Sequence, residues 1–318
     1  MATTQTKGNQ QGSIPLWRGL IKLARPHQWV KSAFVLIGPL YGMADGHVTL
    51  SQAVGPALVT ALAFALASSS CYVVNDLFDV ESDRLHPRKC RRPIASGVVS
   101  PGLAKIYAFL LVLGSVGLTL TLPSSVRALV LVAIGLYIVN VTIYSVWIKH
   151  MLIADVMGLS LGFVFRVMGG CAAVGIAPST WLLNTTFFLA MFLAFGKRLG
   201  ERRTAAGDAA AIRAVQASYT DEMLRMAVVV TAVVTLLSYA GYVQAREADY
   251  IDPSIGGFNL LWLTVLPATF GMLRCIVLLE RGDYDDPTEL AMRDRAFAAS
   301  GLVFAAITVW LIVRFRIG

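Results

Sequence analysis

Charged residues are scarce in this chain of 318 residues, since only 14% of them are Asp, Glu, Lys or Arg. Soluble domains carry roughly 25% charged residues, and so few charges cannot cover the water-exposed surface of a soluble protein of this length. A soluble protein is therefore excluded. Intrinsic disorder is also excluded, because disordered chains are poor in apolar residues and 56% of these residues are hydrophobic. The composition therefore predicts an integral membrane protein.

Cysteine is rare as well. The four cysteines are Cys71, Cys90, Cys171 and Cys275, and no two of them form a CxxC motif. We therefore expect neither a disulfide framework nor a zinc site. A candidate Ser/His/Asp set is also missing. The opening 28 residues are polar and basic without the apolar stretch of a signal peptide, so we expect no cleavable leader.

Long apolar stretches dominate the rest of the sequence, and a helix needs roughly 20 such residues to cross a bilayer core. Nine stretches qualify, near residues 30–50, 52–74, 103–122, 126–148, 151–175, 181–196, 223–243, 259–279 and 297–316. The runs are continuously apolar, unlike the alternating strands of a membrane barrel. The pattern predicts an all-α polytopic membrane protein with about nine transmembrane helices.

Two segments make up the predicted domain organisation. Residues 1–28 are expected to be a cytoplasmic tail that ends in an interfacial helix, because Trp17, Leu20 and Leu23 share one side of that helix. Residues 29–318 are expected to form a single transmembrane catalytic domain.

Basic residues are distributed unequally between the two sides of this arrangement. With nine spans and a cytoplasmic N-terminus, 19 of the 27 Lys and Arg residues fall on the cytoplasmic side and four on the other. This asymmetry follows the positive-inside rule and predicts an integral inner or plasma membrane protein with that orientation. The net charge of +8 is thus explained by topology and does not indicate nucleic-acid binding.

Acidic residues cluster where the second span enters the cytoplasmic loop, in the string Asn75-Asp76-Leu77-Phe78-Asp79-Val80-Glu81-Ser82-Asp83. On a helix each residue advances about 100°, so Asn75, Asp76, Asp79 and Asp83 share one quadrant and Glu81 lies outside it. Carboxylates this close repel each other and need a positive partner. Hard oxygen ligands on one face suit Mg²⁺ that binds together with substrate phosphates. The alternative is a solvated acidic helix end balanced by the basic residues Arg84, Arg88, Lys89, Arg91 and Arg92.

The same string, followed by Arg92-Pro93-Ile94-Ala95-Ser96-Gly97, resembles the first aspartate motif of the UbiA superfamily of intramembrane prenyltransferases. The span count resembles that superfamily too. The resemblance implies a helical bundle with a cavity on the cytoplasmic side, in which the motif holds a Mg²⁺–diphosphate substrate.

The loop after the sixth span departs from the usual pattern of that superfamily. Most members carry a DxxxD motif there, whereas this chain reads Phe195-Gly196-Lys197-Arg198-Leu199-Gly200-Glu201-Arg202-Arg203. A second phosphate group without a metal of its own needs Lys and Arg as direct partners. The asymmetry, acidic in one loop and basic in the other, therefore favours a substrate pair with two phosphate-bearing molecules.

Several stretches resemble one branch of the superfamily, the polyprenyl-phosphate phosphoribosyltransferases, of which decaprenyl-phosphate 5-phosphoribosyltransferases are the type. The matching stretches are 25–31, 144–149 (through Tyr144, Ser145, Ile148 and Lys149), 197–201 (through Lys197, Arg198 and Glu201), 218–220 and 287–295. The single residues Asp155 and Arg166 match as well. Ser32 stands where that branch has Asn. The resemblance implies transfer of 5-phosphoribose from phosphoribosyl diphosphate (PRPP) to a decaprenyl-like polyprenyl phosphate, with diphosphate released. It also implies a role in cell wall biosynthesis, the product being the precursor of an arabinose donor.

Site residues follow from the motif and the resemblance together. The catalytic residues are expected to be Asp76, Asp79 and Asp83, which with Asn75 would also bind the metal. The substrate-binding residues are expected to be Asn75, Lys31, Arg92, Tyr144, Lys149, Asp155, Arg166, Lys197, Arg198 and Glu201. Surface ion pairs of Glu201 with Lys197 or Arg198 are the plain alternative for those residues.

Two other functions stay open at the level of sequence. One is a prenyltransferase of the same superfamily that moves a prenyl chain from prenyl diphosphate to an aromatic acceptor, which would require the missing second acidic motif. The other is a membrane transporter, which nine spans and the intramembrane residues Asp155 and Arg166 would allow.

Overall fold

A computed structural model of the chain describes residues 15–44, 46–87, 89–204, 219–253, 256–281 and 293–317. The predicted all-α class is confirmed. The helices are α1 (Leu16–Ala24), α2 (Ile37–Ala44), α3 (Leu50–Phe78), α4 (Val80–Leu85), α5 (Pro101–Leu120), α6 (Ser124–Val146), α7 (Ala154–Ala173), α8 (Thr180–Thr204), α9 (Asp221–Ala245), α10 (Val265–Arg281) and α11 (Arg295–Ile312). Short 3₁₀ helices occupy Pro26–Leu36, Lys89–Arg91, Ile148–His150, Glu247–Asp249 and Leu260–Thr264, and a π-helical turn follows α11 at Val313–Ile317.

Eight helical segments of the described residues are long and apolar enough to cross a membrane. They correspond to the second through ninth predicted stretches. The first predicted stretch is divided between the 3₁₀ segment Pro26–Leu36 and the short α2. Pro39 lies in the first turn of α2 and lacks the N–H that would donate to the carbonyl of Val35, which fits an α-helix that begins at Ile37 and not earlier.

The described chain divides into two compact units. Unit 1 comprises residues 1–32 and 62–118, and unit 2 comprises residues 33–61 and 119–318. The core of unit 1 packs α1 and the second half of α3 against the 94–111 region through Leu23, Val73, Ile94 and Leu111. Serine hydroxyls join α3 and α5, since Ser70 donates to the carbonyl of Ala108 at 2.9 Å and Ser115 donates to that of Ala63 at 2.8 Å.

Unit 2 has its largest core around α8. Phe192, Phe195 and Leu199 on α8 pack with Leu224 of α9 and Leu279 of α10. This arrangement buries Phe195, Arg198 and Leu199 near the C-terminal end of α8, while Lys197 in the same stretch is exposed.

Glycines let α2 and the end of the 3₁₀ segment approach α7 within unit 2. A Cβ on Gly38 would lie 2.3 Å from the backbone nitrogen of Cys171, and one on Gly170 would lie 1.8 Å from the carbonyl oxygen of Val35. Small residues at such contacts are typical of membrane helix packing.

A small hairpin after α9 is not predicted by the apolar pattern of the sequence. Strands β1 (Ile251–Asp252) and β2 (Phe258–Asn259) pair antiparallel, with Ile251 opposite Asn259. Asp252 forms an ion pair with Arg314. All four cysteines are thiols, and Cys71, Cys171 and Cys275 are buried.

We predict that Gly170→Ala destabilises the protein, because the added methyl group would overlap the carbonyl oxygen of Val35 and overpacking costs roughly 1–3 kcal/mol. Thermal unfolding of the purified protein in detergent measures the effect. Gly135→Ala in α6 is the matched control, since nothing lies within 4 Å of its Cβ position. Equal midpoints for the two variants would contradict the close contact.

Candidate functional site

The predicted acidic motif lies where α3 ends. Asn75 and Asp76 belong to α3, Asp79 occupies the turn after it, and Asp83 lies in α4. Backbone hydrogen bonds keep the helical spacing through the turn, from the Asp79 N–H to the Asn75 carbonyl (3.0 Å) and from the Asp83 N–H to the Asp79 carbonyl (2.8 Å). Asp79 has φ −89° and ψ 3°, in the region where many active-site residues are found.

Two carboxylates of this motif are buried and paired with arginines. Asp76 is 3% exposed and Asp83 is 2% exposed. Arg92 donates to both, at 3.0 Å to Asp76 Oδ1 and 2.7 Å to Asp83 Oδ2. Arg25 donates to Asp76 Oδ1 at 2.6 Å. Of the downstream basic residues that the sequence suggested as counter-charges, Arg92 takes that role in these pairs.

Arg25 was not among the predicted site residues, although the stretch 25–31 resembles the phosphoribosyltransferase branch. It ends α1 in a left-handed conformation with φ 51°. The preceding carbonyl, of Ala24, accepts a hydrogen bond from Ser69 Oγ at 2.7 Å, and Ser69 Oγ accepts one from Trp29 Nε1 at 2.9 Å. These bonds tie the turn to α3 and place the guanidinium of Arg25 against Asp76 and over the ring of Tyr72 (4.9 Å).

The donor set of the acidic motif fits a divalent cation that arrives with a phosphate-bearing substrate. Among the described residues no three His, Cys, Asp or Glu side chains are close enough to hold a metal ion, so the motif is not a closed protein cage. Mg²⁺ usually keeps several waters and uses one or two carboxylates together with substrate phosphates. Asp79, whose Oδ2 accepts from Asn75 Nδ2 at 3.0 Å, lies between the other members in sequence and supplies hard oxygen ligands of that kind.

A second cluster of predicted residues lies in unit 2, at the start of α7 and the end of α8. Asp155 is 2% exposed and Arg198 is 7% exposed, and they form an ion pair. The hydroxyl of Tyr219 donates to Asp155 Oδ1 at 3.0 Å and accepts from the Ile153 N–H at 2.6 Å. Burial raises the pKa of Tyr219, and the Ile153 N–H bond opposes that rise, so this hydroxyl stays protonated at neutral pH.

This pairing bears on two of the predictions about charge partners. Asp155 was expected to bind substrate, and the structure pairs it with Arg198. The alternative of a surface ion pair between Arg198 and Glu201 does not fit, because Arg198 is buried against α7. Lys197 is exposed on the same helix.

Two further residues of this cluster were missed by sequence reasoning. Tyr219 belongs to a stretch that resembles the phosphoribosyltransferase branch, but it carried no predicted role. Arg202 donates to the carbonyl of Tyr219 at 2.5 Å and to Asp221 Oδ1 at 2.8 Å. The sequence signal for this cluster was the run of basic residues after Phe195, but the run alone does not show which of those side chains are buried.

Arg166 lies deeper in α7 and has partners of its own. It is 4% exposed, donates to the Gly162 carbonyl at 2.9 Å and to the Tyr137 hydroxyl at 3.0 Å, and stacks on the Tyr137 ring at 4.4 Å. Arg166 lies three helical turns after Asp155 on α7, too far along the helix axis for the two side chains to contact each other.

The other predicted substrate-binding residues are placed as follows. Tyr144 of α6 packs beside Gly158, Lys149 is in the 3₁₀ turn Ile148–His150, Glu201 is half-buried on α8, and Lys31 is exposed in the 3₁₀ segment of unit 1. The tail of 1–14, Arg88, Ser218 and 287–292 lie outside the described residues.

Comparison with known proteins identifies the family. The model of the UbiA prenyltransferase family matches residues 32–301, which is most of the chain. The chain belongs to the UbiA prenyltransferase family. It is accordingly an integral multi-pass membrane protein and a transferase, as the sequence predicted.

Relatives within the UbiA family cover nearly the whole chain. A decaprenyl-phosphate phosphoribosyltransferase of Mycolicibacterium smegmatis is 33% identical over 280 residues, 87% of each chain. One of Corynebacterium glutamicum is 34% identical over 308 residues, 95% of this chain and 90% of the relative. A solved structure of a UbiA homolog from Archaeoglobus fulgidus, bound to GPP and Mg²⁺, has a TM-score of 0.63 at 16% identity, over 92% of this chain and 99% of that one. This last likeness concerns the fold.

We predict that Arg92→Gln lowers thermal stability, because Asp76 and Asp83 would lose a shared counter-charge. Breaking a largely buried ion pair costs several kcal/mol, and the partial exposure of Arg92 reduces this to about 2 kcal/mol. Arg91→Gln is the matched control, since Arg91 is the adjacent residue and is exposed. Unfolding midpoints that fall equally in both variants would show that Arg92 does not hold the motif together.

Proposed function

We propose that this UbiA-family enzyme transfers 5-phosphoribose from PRPP to a polyprenyl phosphate and releases diphosphate. The observation that carries the proposal is the buried Arg198 on α8, in the region where prenyl-diphosphate enzymes of the superfamily are expected to have their second acidic motif. A basic group there suits a phosphate that has no metal of its own. The relatives named decaprenyl-phosphate phosphoribosyltransferases support the same assignment.

The acidic motif would bind the leaving diphosphate of PRPP. Asn75, Asp76, Asp79 and Asp83 would hold Mg²⁺, and Arg25 and Arg92 would keep the carboxylates of Asp76 and Asp83 in place. When bound, the metal would neutralise negative charge that grows on the leaving group. Arg25 pairs with Asp76, and Arg92 pairs with Asp76 and Asp83. The two arginines therefore fix the position of the motif without pairing with every carboxylate in it.

The reaction is a substitution at C1 of the ribose. An oxygen of the lipid phosphate forms a bond to C1 while the bond from C1 to the diphosphate oxygen breaks, and the electron pair of that bond leaves with diphosphate. The lipid phosphate is already ionised at pH 7, so the protein needs no general base. This accounts for a chain without a Ser/His/Asp set.

Basic residues would bind the phosphate groups of the two substrates. Arg198 is the strongest candidate, because it is buried and oriented by Asp155 and Tyr219. We assign supporting roles in substrate binding to Lys31, Arg92, Tyr144, Lys149, Arg166, Lys197 and Glu201. The polar and ionisable residues of α7 fit this assignment, because such groups inside membrane spans usually serve substrates.

Purified enzyme in detergent tests the substrate assignment directly. With Mg²⁺ present, label from phosphoribosyl diphosphate should pass into the organic phase when polyprenyl phosphate is supplied. Prenyl diphosphate with an aromatic acceptor is the parallel assay. Transfer in the second assay alone would overturn the proposal and favour the aromatic-acceptor alternative.

We predict that Asp79→Ala lowers the turnover rate by a factor of at least about 100, since a metal ligand contributes several kcal/mol of charge stabilisation. Glu81→Gln is the matched control: it removes one carboxylate two residues away that is exposed in α4. Rates are measured with membrane content and thermal midpoint for each variant. EDTA should reproduce the loss in the wild-type enzyme, and added Mg²⁺ should reverse it. Full activity of Asp79→Ala would contradict the metal assignment.

We also propose that the N-terminus and the acidic motif face the cytoplasm, which the unequal distribution of Lys and Arg supports. In this orientation the soluble substrate PRPP would reach the enzyme from the cytoplasm.

The position of the C-terminus tests this orientation together with the divided first span. If Pro26–Ala44 crosses the membrane, nine crossings put Gly318 outside the cytoplasm; if it does not, eight crossings put it inside. We expect a phosphatase fused after Gly318 to be active and a green fluorescent protein at the same site to be dark, in a bacterial host. The opposite pattern would contradict the combination of a cytoplasmic N-terminus with a divided segment that crosses the membrane.

A further inference from the structure

Arg198 has an unused hydrogen-bonding group in a buried environment. Its side chain is less than one-tenth exposed, and one terminal nitrogen, Nη2, pairs with Asp155 Oδ2. The other terminal nitrogen, Nη1, is buried and has no acceptor among the described residues. Buried donors are almost always satisfied, and an arginine fork matches phosphate oxygens well. The group is therefore suited to a ligand oxyanion.

Both carboxylate oxygens of Asp155 have partners within the protein. Its Oδ2 contacts Arg198, and its Oδ1 accepts from the Tyr219 hydroxyl (3.0 Å) and from the Val156 N–H (2.8 Å). At 2% exposure it has little surface left for a substrate. Its chemistry is that of a counter-charge that orients a guanidinium.

Tyr219 orients the pair from the other side. Its ring lies 5.3 Å from the guanidinium carbon of Arg198, and its hydroxyl is fixed in direction because it accepts from Ile153 and donates to Asp155. Its backbone carbonyl is held by Arg202 at 2.5 Å. Ile153 has φ 66°, an unfavourable conformation for a β-branched residue that persists only where its surroundings impose it.

We propose that Asp155 and Tyr219 are positioning residues that hold Arg198 so that Nη1 meets a phosphate oxygen of a substrate. The ligand class is a phosphate monoester, either the 5-phosphate of the ribose donor or the phosphate of the lipid acceptor. The inference rests on the proposed function for the identity of these substrates, and it revises the expectation that Asp155 itself binds substrate.

A purely structural role makes a different prediction. If the Asp155–Arg198 pair only joins α7 to α8, removing the Tyr219 hydroxyl costs stability and leaves ligand affinity unchanged. If the pair presents Nη1 to a ligand, the same change weakens phosphate binding, because the guanidinium loses its fixed orientation. Measuring ligand affinity separately from thermal stability therefore distinguishes a structural role from a positioning role.

The test measures binding in EDTA, so that the metal-dependent acidic motif does not contribute. Full-length protein in detergent is titrated with ribose 5-phosphate and, separately, with a short-chain polyprenyl phosphate. Arg198→Gln and Tyr219→Phe should weaken binding of one of the two ligands roughly tenfold, the worth of one charge-assisted hydrogen bond. The ligand affected identifies the source of the phosphate.

Tyr239→Phe is the matched control. It also removes a tyrosine hydroxyl of unit 2, one that hydrogen-bonds Thr264 Oγ1 at 2.5 Å, and it should leave both affinities unchanged. Asp155→Asn serves as a second variant where Tyr219→Phe does not fold, with the same expected loss. In the transfer assay the folded variants should show a raised KM for the same substrate and an unchanged kcat.

Unchanged affinities in folded Tyr219→Phe or Asp155→Asn, with phosphoribosyl transfer by the wild-type enzyme, would overturn the inference and leave the proposed function standing. Loss of phosphate binding in these variants, with no phosphoribosyl transfer by the wild type, would overturn the proposed function and support the role of Arg198. An affinity loss equal to that of Tyr239→Phe would also count against the inference.

Discussion

Buried carboxylates must be paired with positive charge, and this requirement organises the functional part of the molecule. Asp76, Asp83 and Asp155 are each at most 3% exposed, and each is held by an arginine. An isolated charge in a low-dielectric interior is too costly to keep. Each pairing therefore constrains a helix end as well as a side chain, and the pairs Arg25–Asp76 and Arg198–Asp155 also join segments that are far apart in sequence.

The two clusters meet this requirement in opposite ways. In unit 1 several acids converge and arginines neutralise part of their charge, which leaves oxygen ligands of the kind that Mg²⁺ prefers. In unit 2 one acid orients one arginine, and a guanidinium nitrogen is left for a ligand. The two phosphate-bearing substrates that we propose would use both kinds of site, one that works through a metal and one that binds the anion directly.

Much of the fold and the acidic motif could be predicted from the sequence, because membrane helices and short motifs depend on residues that are close together in the chain. The acidic motif was found from helical spacing, and its hydrogen bonds run between residues four apart. Arg92 was found because it follows the motif closely. Arg25 and Tyr219 were not assigned roles, since they reach their partners over 51 and 64 residues. The pairing of Asp155 with Arg198 was not predicted for the same reason.

Composition and periodicity were enough for the membrane class, the helices and the position of the acidic motif, because hydrophobic length and helical period are local properties of a chain. Packing determined which basic residues turn inward. Lys197 and Arg198 are neighbours in sequence, yet one is exposed and the other is buried against Asp155. That difference depends on the helices that surround α8, and charge alone does not encode it. Arg198 was therefore recognised as a residue with an unused donor only when its neighbours were in place.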